Sequence, residues 1–124
     1  MTPKAQTVAV LGASNKKDRY SYRAFQLLRK YGHDVILVHP LLEEIDGVPV
    51  TASLAQVHQS VDTLTLYINA AVSAKLADEI VALKPGRVIF NPGAESNELA
   101  ETLDANGIPF EKACTLVLLE TGQF

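Results

Sequence analysis

Val8-Ala-Val-Leu-Gly-Ala-Ser-Asn-Lys-Lys-Asp-Arg-Tyr-Ser-Tyr-Arg23 decides the fold. It opens as an apolar, largely β-branched run and breaks at Gly12 into a small polar loop. It resumes as a helix with apolar residues at Ala24, Leu27, Leu28 and Tyr31. A strand that stops at a glycine and feeds a helix turns free backbone N–H groups toward one spot, with the positive end of the helix dipole behind them. That arrangement is a seat for a phosphate. Lys16, Lys17, Arg19 and Arg23 lie in or just after the loop, against a formal net charge of -3 for the whole chain.

Outward from this segment the chain alternates strands and helices. Residues 8–11 are apolar on both faces, as central parallel strands are. The first helix, with Asp18 or Ser21 as its N-cap, runs to Tyr31 and stops at Gly32. Residues 35–39 form the second strand, closed by Pro40. A loop containing Gly47 and Pro49 follows, and Ser53 caps a short helix with Leu54 and Val57. The third strand, residues 63–68, ends at Asn69. One helix then carries Val72, Leu76, Ile80 and Leu83 as a stripe, and Pro85-Gly86 ends it. Residues 87–90 are the fourth strand, with Asn91-Pro-Gly93 as its exit. Ser96 caps a helix whose face holds Leu99, Ala100 and Leu103. Residues 108–113 form a fifth strand at an edge, because Pro109 has no N–H to give a ladder. Residues 114–119 are apolar and read equally as helix or strand; they either close the core or form a contact between copies. Residues 1–6 read as a flexible lead.

This alternation predicts an α/β protein: a single Rossmann-like domain over residues 1–124, in three layers. A parallel sheet of about five strands, with right-handed crossovers, lies between helices on both faces. Ligands of such sheets bind at the carboxyl ends of the strands, where strand order reverses. The candidate site is therefore Gly12 to Ser14, His39-Pro40, Ile68-Asn69 and Asn91 to Gly93.

The bulk properties narrow the function. A chain of 124 residues, 48% hydrophobic and 20% charged, has the composition of one globular domain with a real core. A pI near 5.5 argues against nucleic acid as the main partner. One cysteine excludes an internal disulfide and a zinc site of several thiolates, and the three histidines lack metal-ligand spacing. No run reaches the length of a membrane span, and the N-terminus lacks a signal-peptide core. The expectation is a cytoplasmic protein with no membrane partner.

The loop fits no standard nucleotide fingerprint. Against Gly-x-Gly-x-x-Gly, Gly12 supplies the first glycine, but Ser14 and Lys17 occupy the other two positions. His39-Pro40 stands where dinucleotide folds carry an acid for the ribose. No second glycine precedes a Lys-Ser or Lys-Thr pair, so the phosphate-loop NTPase pattern is absent as well.

The chain resembles the small CoA-binding proteins, which are similar to the N-terminal CoA-binding domain of the succinyl-CoA synthetase alpha subunit. The resemblance runs through Val10-Leu-Gly-Ala-Ser14, Asp18-Arg-Tyr-Ser-Tyr-Arg23, Val38-His-Pro40 and Gly47-Val-Pro-Val50. It continues in Arg87-Val-Ile-Phe-Asn-Pro-Gly93 and Cys114-Thr-Leu-Val117. It implies that coenzyme A is the ligand. Gly12, Ala13 and Ser14 would hold a phosphate through their backbone, with Asn15 continuing the loop. Lys16, Lys17 and Arg19 would offer charge to the pyrophosphate and 3′-phosphate, with Tyr20 against the ligand. Val38, His39 and Pro40 would wall the adenine, and Ile68, Asn69 and Ala70 would pack along the other side of the nucleotide. This chain has Asn69-Ala70 where the synthetase domain has two prolines. The synthetase's active-site histidine lies in a domain this chain lacks, so ligation chemistry does not carry over.

No nucleophile and base pair up in the sequence, so the expectation is a protein that binds coenzyme A or an acyl-CoA without catalysing a reaction. The alternatives are an NAD(P)-binding oxidoreductase, a small acyl-CoA-processing enzyme, or a module that reads coenzyme A through a protein partner or a second copy. His33 and His58 read as surface residues. Cys114, at the carboxyl end of the fifth strand, is a buried apolar residue or a thiol facing the thiol of coenzyme A. Gly12→Asp is expected to abolish binding while leaving a folded protein.

Overall fold

Thirteen elements, described for residues 5–124 in a computed structural model, follow the expected alternation. The lead expected over residues 1–6 falls, at residues 1–4, outside the described residues. Gln6 is part of the fold instead. Its N–H donates to His33 Nδ1 (3.0 Å), its carbonyl accepts from the Asp34 N–H, and its side chain bonds Thr63 and the Phe124 carbonyl.

The strands are β1 (Thr7–Leu11), β2 (Asp34–Val38), β3 (Glu44–Ile45), β4 (Val48–Thr51), β5 (Thr63–Leu66), β6 (Arg87–Phe90) and β7 (Phe110–Lys112). They form one sheet in the order β3-β4-β2-β1-β5-β6-β7. Neighbours run parallel except β3 and β4. The chain grows from β1 outward through β2 to β4, then returns to lay β5 on the other side of β1. The order therefore reverses between β1 and β5, where a ligand crevice opens.

The expected parallel sheet of about five strands is corrected to a mixed sheet of seven. The five are β1, β2, β5, β6 and β7, with β7 at the edge. The other two come from the stretch read as a loop. Asp46 and Gly47 both take positive φ, +50° and +81°, and turn β3 back onto β4. Paired positive φ values make a two-residue hairpin turn, and Asp-Gly is one of its strongest sequence signals. Pro49 masked it. Pro49 is tolerated because β4 joins β2 only through Val50 and Thr51.

Helices α1 (Tyr20–Lys30), α2 (Ala70–Lys75), α3 (Ala77–Leu83), α4 (Asn97–Ala105) and α5 (Thr115–Glu120) cover the two faces. Side chains alternate across a strand, and β1 shows it. Val8 and Val10 pack with Phe25, Leu28 and Leu119 of α1 and α5. Ala9 and Leu11 pack with Ile80, Leu99 and Leu103 of α3 and α4. The apolar residues 114–119 thus resolve as a helix that closes the core, with Leu119 buried.

Three local expectations change. Neither Asp18 nor Ser21 caps α1; Arg19 precedes it with no side-chain cap bond. The stripe from Val72 to Leu83 is carried by two helices broken at Leu76, whose N–H is shared by the Val72 and Ser73 carbonyls. Ser53 makes no cap bond, and the helix after it is a single 3-10 turn, Leu54–Gln56. Ser96 does cap α4, accepting from the Leu99 N–H at 3.1 Å.

Candidate functional site

A cavity of about 880 Å³ opens at the carboxyl ends of β1, β2, β4 and β5. The loop after β1 brings Gly12, Ala13, Ser14, Asn15, Lys16 and Arg19 to it, and the start of α1 adds Tyr20 and Ser21. Val38, His39 and Pro40 border it from the end of β2, and Ile68 and Asn69 from the exit of β5. Two of the residues expected to contact the ligand lie elsewhere. The Arg19 N–H bonds the Lys16 carbonyl at 3.0 Å. This tight turn carries Lys17 to a shallower groove with Arg23, Lys30 and Glu120, between α1 and α5. Ala70 opens α2 with its side chain exposed, outside the lining.

The backbone of the loop is used differently from the expectation. The N–H groups of Gly12 and Ala13 both donate to the Val38 carbonyl, at 3.1 and 3.2 Å. They join the loop to the end of β2 and are not free for a phosphate. Gly12 is glycine for a packing reason as well. Its φ is +93°, and a Cβ placed on it would stand 2.5 Å from the Tyr67 carbonyl oxygen. Gly12→Asp therefore strikes the backbone at the exit of β5, and the expectation that it leaves the fold intact is corrected. The next two N–H groups, of Ser14 and Asn15, make no hydrogen bond among the described residues. Behind them α1 starts with no side-chain cap and no acid in its first turn. Its leading N–H groups carry the positive end of the dipole toward the cavity. The loop N–H groups without a hydrogen bond among the described residues are thus those of Ser14 and Asn15, not of Gly12 and Ala13, and Lys16 and Arg19 line the cavity beside them.

The opposite wall is apolar: Leu54, Ile68, Val72 and Leu76 line the cavity beside Val38. Leu42, Ala52, Ser53, Leu54, Tyr67, Val72, Leu76 and Glu79 escaped the sequence reading. Finding β4 beside β2 would have pointed to Ala52, Ser53 and Leu54, and the Asp46-Gly47 turn was the signal for it.

Several lining groups have fixed partners. His39 Nδ1 accepts from the Leu41 N–H at 3.0 Å. An accepting nitrogen carries no proton, so the ring proton sits on Nε2. Asn69 Oδ1 caps α2 by accepting from the Val72 N–H at 2.9 Å. Glu79 Oε1 accepts from the Ala55 N–H at 3.3 Å. Tyr67 sends its phenol inward, where the buried oxygen meets the criteria for no hydrogen bond among the described residues, with the Thr115 and Thr65 side chains facing it. Burial pushes that hydroxyl up to about 12, so it stays protonated at neutral pH. Tyr20 stands at the rim, 67% exposed.

Asn91 and Gly93 do not reach the cavity. Asn91 is buried, donating to Thr65 Oγ1 (2.6 Å) and the Leu66 carbonyl (2.8 Å) and accepting from the Thr115 N–H (2.9 Å). It ties β5, β6 and α5 together. Gly93 is held by the Glu95 carboxylate. Cys114 immediately precedes α5 and is not in the lining. His58 is exposed, but His33 is buried and its surface assignment is corrected. Its ring lies 5.2 Å from that of Phe124, and burial, then the nearby Arg87 charge, lower its pKa. Among the described residues no group of three metal-ligating side chains converges, and no helix is long and apolar enough to cross a membrane.

Comparison with known proteins places this geometry in a family. The family model described as a CoA binding domain matches residues 6–120. A solved structure of an uncharacterised protein is 40% identical and superposes with a TM-score of 0.93, over 98% of this chain and 100% of that one. The uncharacterised protein YneT of Bacillus subtilis is 24% identical over 78 residues, 63% of this chain and 58% of its own length. The fold also recurs in a dinucleotide-forming acetyl-coenzyme A synthetase from Ca. Korarchaeum cryptofilum. There the TM-score is 0.73 at 18% identity, over 87% of this chain and a quarter (25%) of that one.

Proposed function

The chain belongs to the CoA-binding domain family, and we propose that it holds coenzyme A or an acyl-CoA in the cavity at the carboxyl edge of its sheet without catalysing a reaction of its own. The observation that carries this reading is the two-sided cavity itself. On one side stand the free N–H groups of Ser14 and Asn15, the uncapped start of α1, and the cations Lys16 and Arg19. On the other stand Val38, Leu54, Ile68, Val72 and Leu76.

Such a cavity suits a ligand with phosphates at one part and a flat apolar ring at another. Phosphate oxygens bond backbone N–H groups and cationic side chains strongly. A purine excludes water from the aliphatic wall. His39-Pro40 stands at the position where a dinucleotide fold presents an acid to ribose hydroxyls. A ribose 3′-phosphate is compatible with that substitution, whereas an acid would repel it. The reading without catalysis is supported by the fixed roles of His39 Nδ1 and Glu79 Oε1, each already accepting a backbone N–H.

Calorimetric titration tests the reading, with coenzyme A, 3′-dephospho-CoA and NAD as ligands. Coenzyme A is expected to bind, and to bind more weakly without its 3′-phosphate. Lys16→Ala and Arg19→Ala should each weaken it by about tenfold, the worth of a charge-assisted contact. Lys17→Ala, outside the cavity, should change little. Binding of NAD without coenzyme A would overturn the assignment.

A further inference from the structure

We infer that Glu79 is a specificity-determining residue, selecting a nucleobase that presents an exocyclic amine, as adenine does. The inference rests on the coenzyme A reading and adds what reads the base.

The cavity straddles the sheet edge, and its chemistry divides there. Ser14, Asn15, Lys16 and Arg19 lie on the connection leading to α1, which covers one face. Val38, Leu54, Ile68 and Leu76 belong to the apolar cluster of the other face, under α3. Glu79 rises from α3 into the lining on that second side. A carboxylate is unfavourable near phosphates, and Glu79 stands with Leu54 and Leu76 on the apolar side of the cavity, away from the element that carries Lys16 and Arg19. That side is the apolar slot that receives the base.

Glu79 is also prepared for one kind of contact. It is part-buried, and the Ala55 N–H holds Oε1 at 3.3 Å. Oε2 makes no hydrogen bond or ion pair among the described residues. An ionised carboxylate only accepts hydrogen bonds, so the group it recognises must be a donor. The donor on adenine's edge is the exocyclic amine. A base lacking it forfeits that charge-assisted hydrogen bond to the carboxylate.

The test compares coenzyme A with its purine analogue, in which hydrogen replaces the amine. The two share phosphates and pantetheine, so the ratio of their dissociation constants isolates the base. The native chain should prefer coenzyme A by about tenfold or more. Glu79→Gln keeps an oxygen for the Ala55 N–H and turns an NH2 toward the base. It should bring the two affinities within about twofold, with an unchanged circular dichroism spectrum. Any long-range effect of removing the Glu79 charge on the phosphates is the same for both ligands and cancels in the ratio. Equal affinities in the native chain overturn the inference while leaving the coenzyme A reading intact. A preference that survives Glu79→Gln assigns the base reading to another residue and overturns it too. A native chain that binds neither ligand overturns the coenzyme A reading and this inference with it.

Discussion

Gly12→Ala is expected to destabilise the protein far more than an alanine at a comparable glycine. The cost has two parts. At φ of +93° an L-residue is strained by about 1–2 kcal/mol. The new Cβ would also stand 2.5 Å from the Tyr67 carbonyl oxygen and 2.9 Å from its carbon. Both are backbone atoms at the exit of a central strand, and forcing such overlap costs about 1–3 kcal/mol. The total is about 2–5 kcal/mol, a large share of the roughly 5–15 kcal/mol that holds a domain folded. Gly32→Ala is the control. Gly32 has φ of +85° with nothing within 4 Å of a Cβ, so it carries only the first part, about 1–2 kcal/mol. Urea unfolding of the two variants, at a slope of about 1–3 kcal/mol per molar, should separate their midpoints by roughly 1 M. A difference below about 0.5 kcal/mol, inside the ordinary scatter of surface substitutions, would refute the claim that Gly12 is fixed by its approach to β5.

Two further outcomes follow from buried polar groups. His33 is held neutral by burial and the Arg87 charge, its pKa lowered, and its Nδ1 accepts the Gln6 N–H only while unprotonated. Below about 6.5, the ordinary imidazole value, the unfolded chain takes up a proton that the folded chain refuses. Stability should therefore be full above that pH and fall as pH drops through the folded value. His33→Gln should flatten that limb in urea midpoints measured between pH 7 and 5, and an unchanged slope would sink the assignment. Tyr67→Phe removes a buried hydroxyl that makes no hydrogen bond among the described residues, although Thr115 and Thr65 face it. It should be neutral or stabilise by about 1 kcal/mol at pH 7, and a loss of that size in urea unfolding would mean the hydroxyl is hydrogen-bonded.

The strands and the edge of the sheet that bears the cavity were legible because each signal is local. The run from Val8 to Leu11 is too apolar for a half-exposed strand, and the alternation with helices dictates which ends converge. What stayed hidden depends on contacts distant in sequence. His33 sits in a polar Gly-His-Asp turn and reads as surface; it is buried because Gln6 and Phe124 close over it. Glu79 looks like an outward residue of an amphipathic helix. It reaches the cavity because α3 packs against the turn after β4, a contact between segments more than twenty residues apart that no local pattern shows.

Gly12 shows the limit most clearly. The pattern of strand, glycine and helix points to a loop of backbone N–H groups at a helix start, but it does not say which of them remain unbonded. That depends on the Val38 carbonyl, which belongs to another strand and takes two of them. The same bonds have a functional consequence under the coenzyme A reading. Val38 is followed by His39 and Pro40, the wall of the nucleotide slot, and the His39 N–H continues the ladder to Thr51 at 3.0 Å. The phosphate seat and the base wall are therefore anchored at one carbonyl, on a strand held on both sides. A ligand that spans seat and wall meets them already in register, and little of its binding free energy goes into ordering the site.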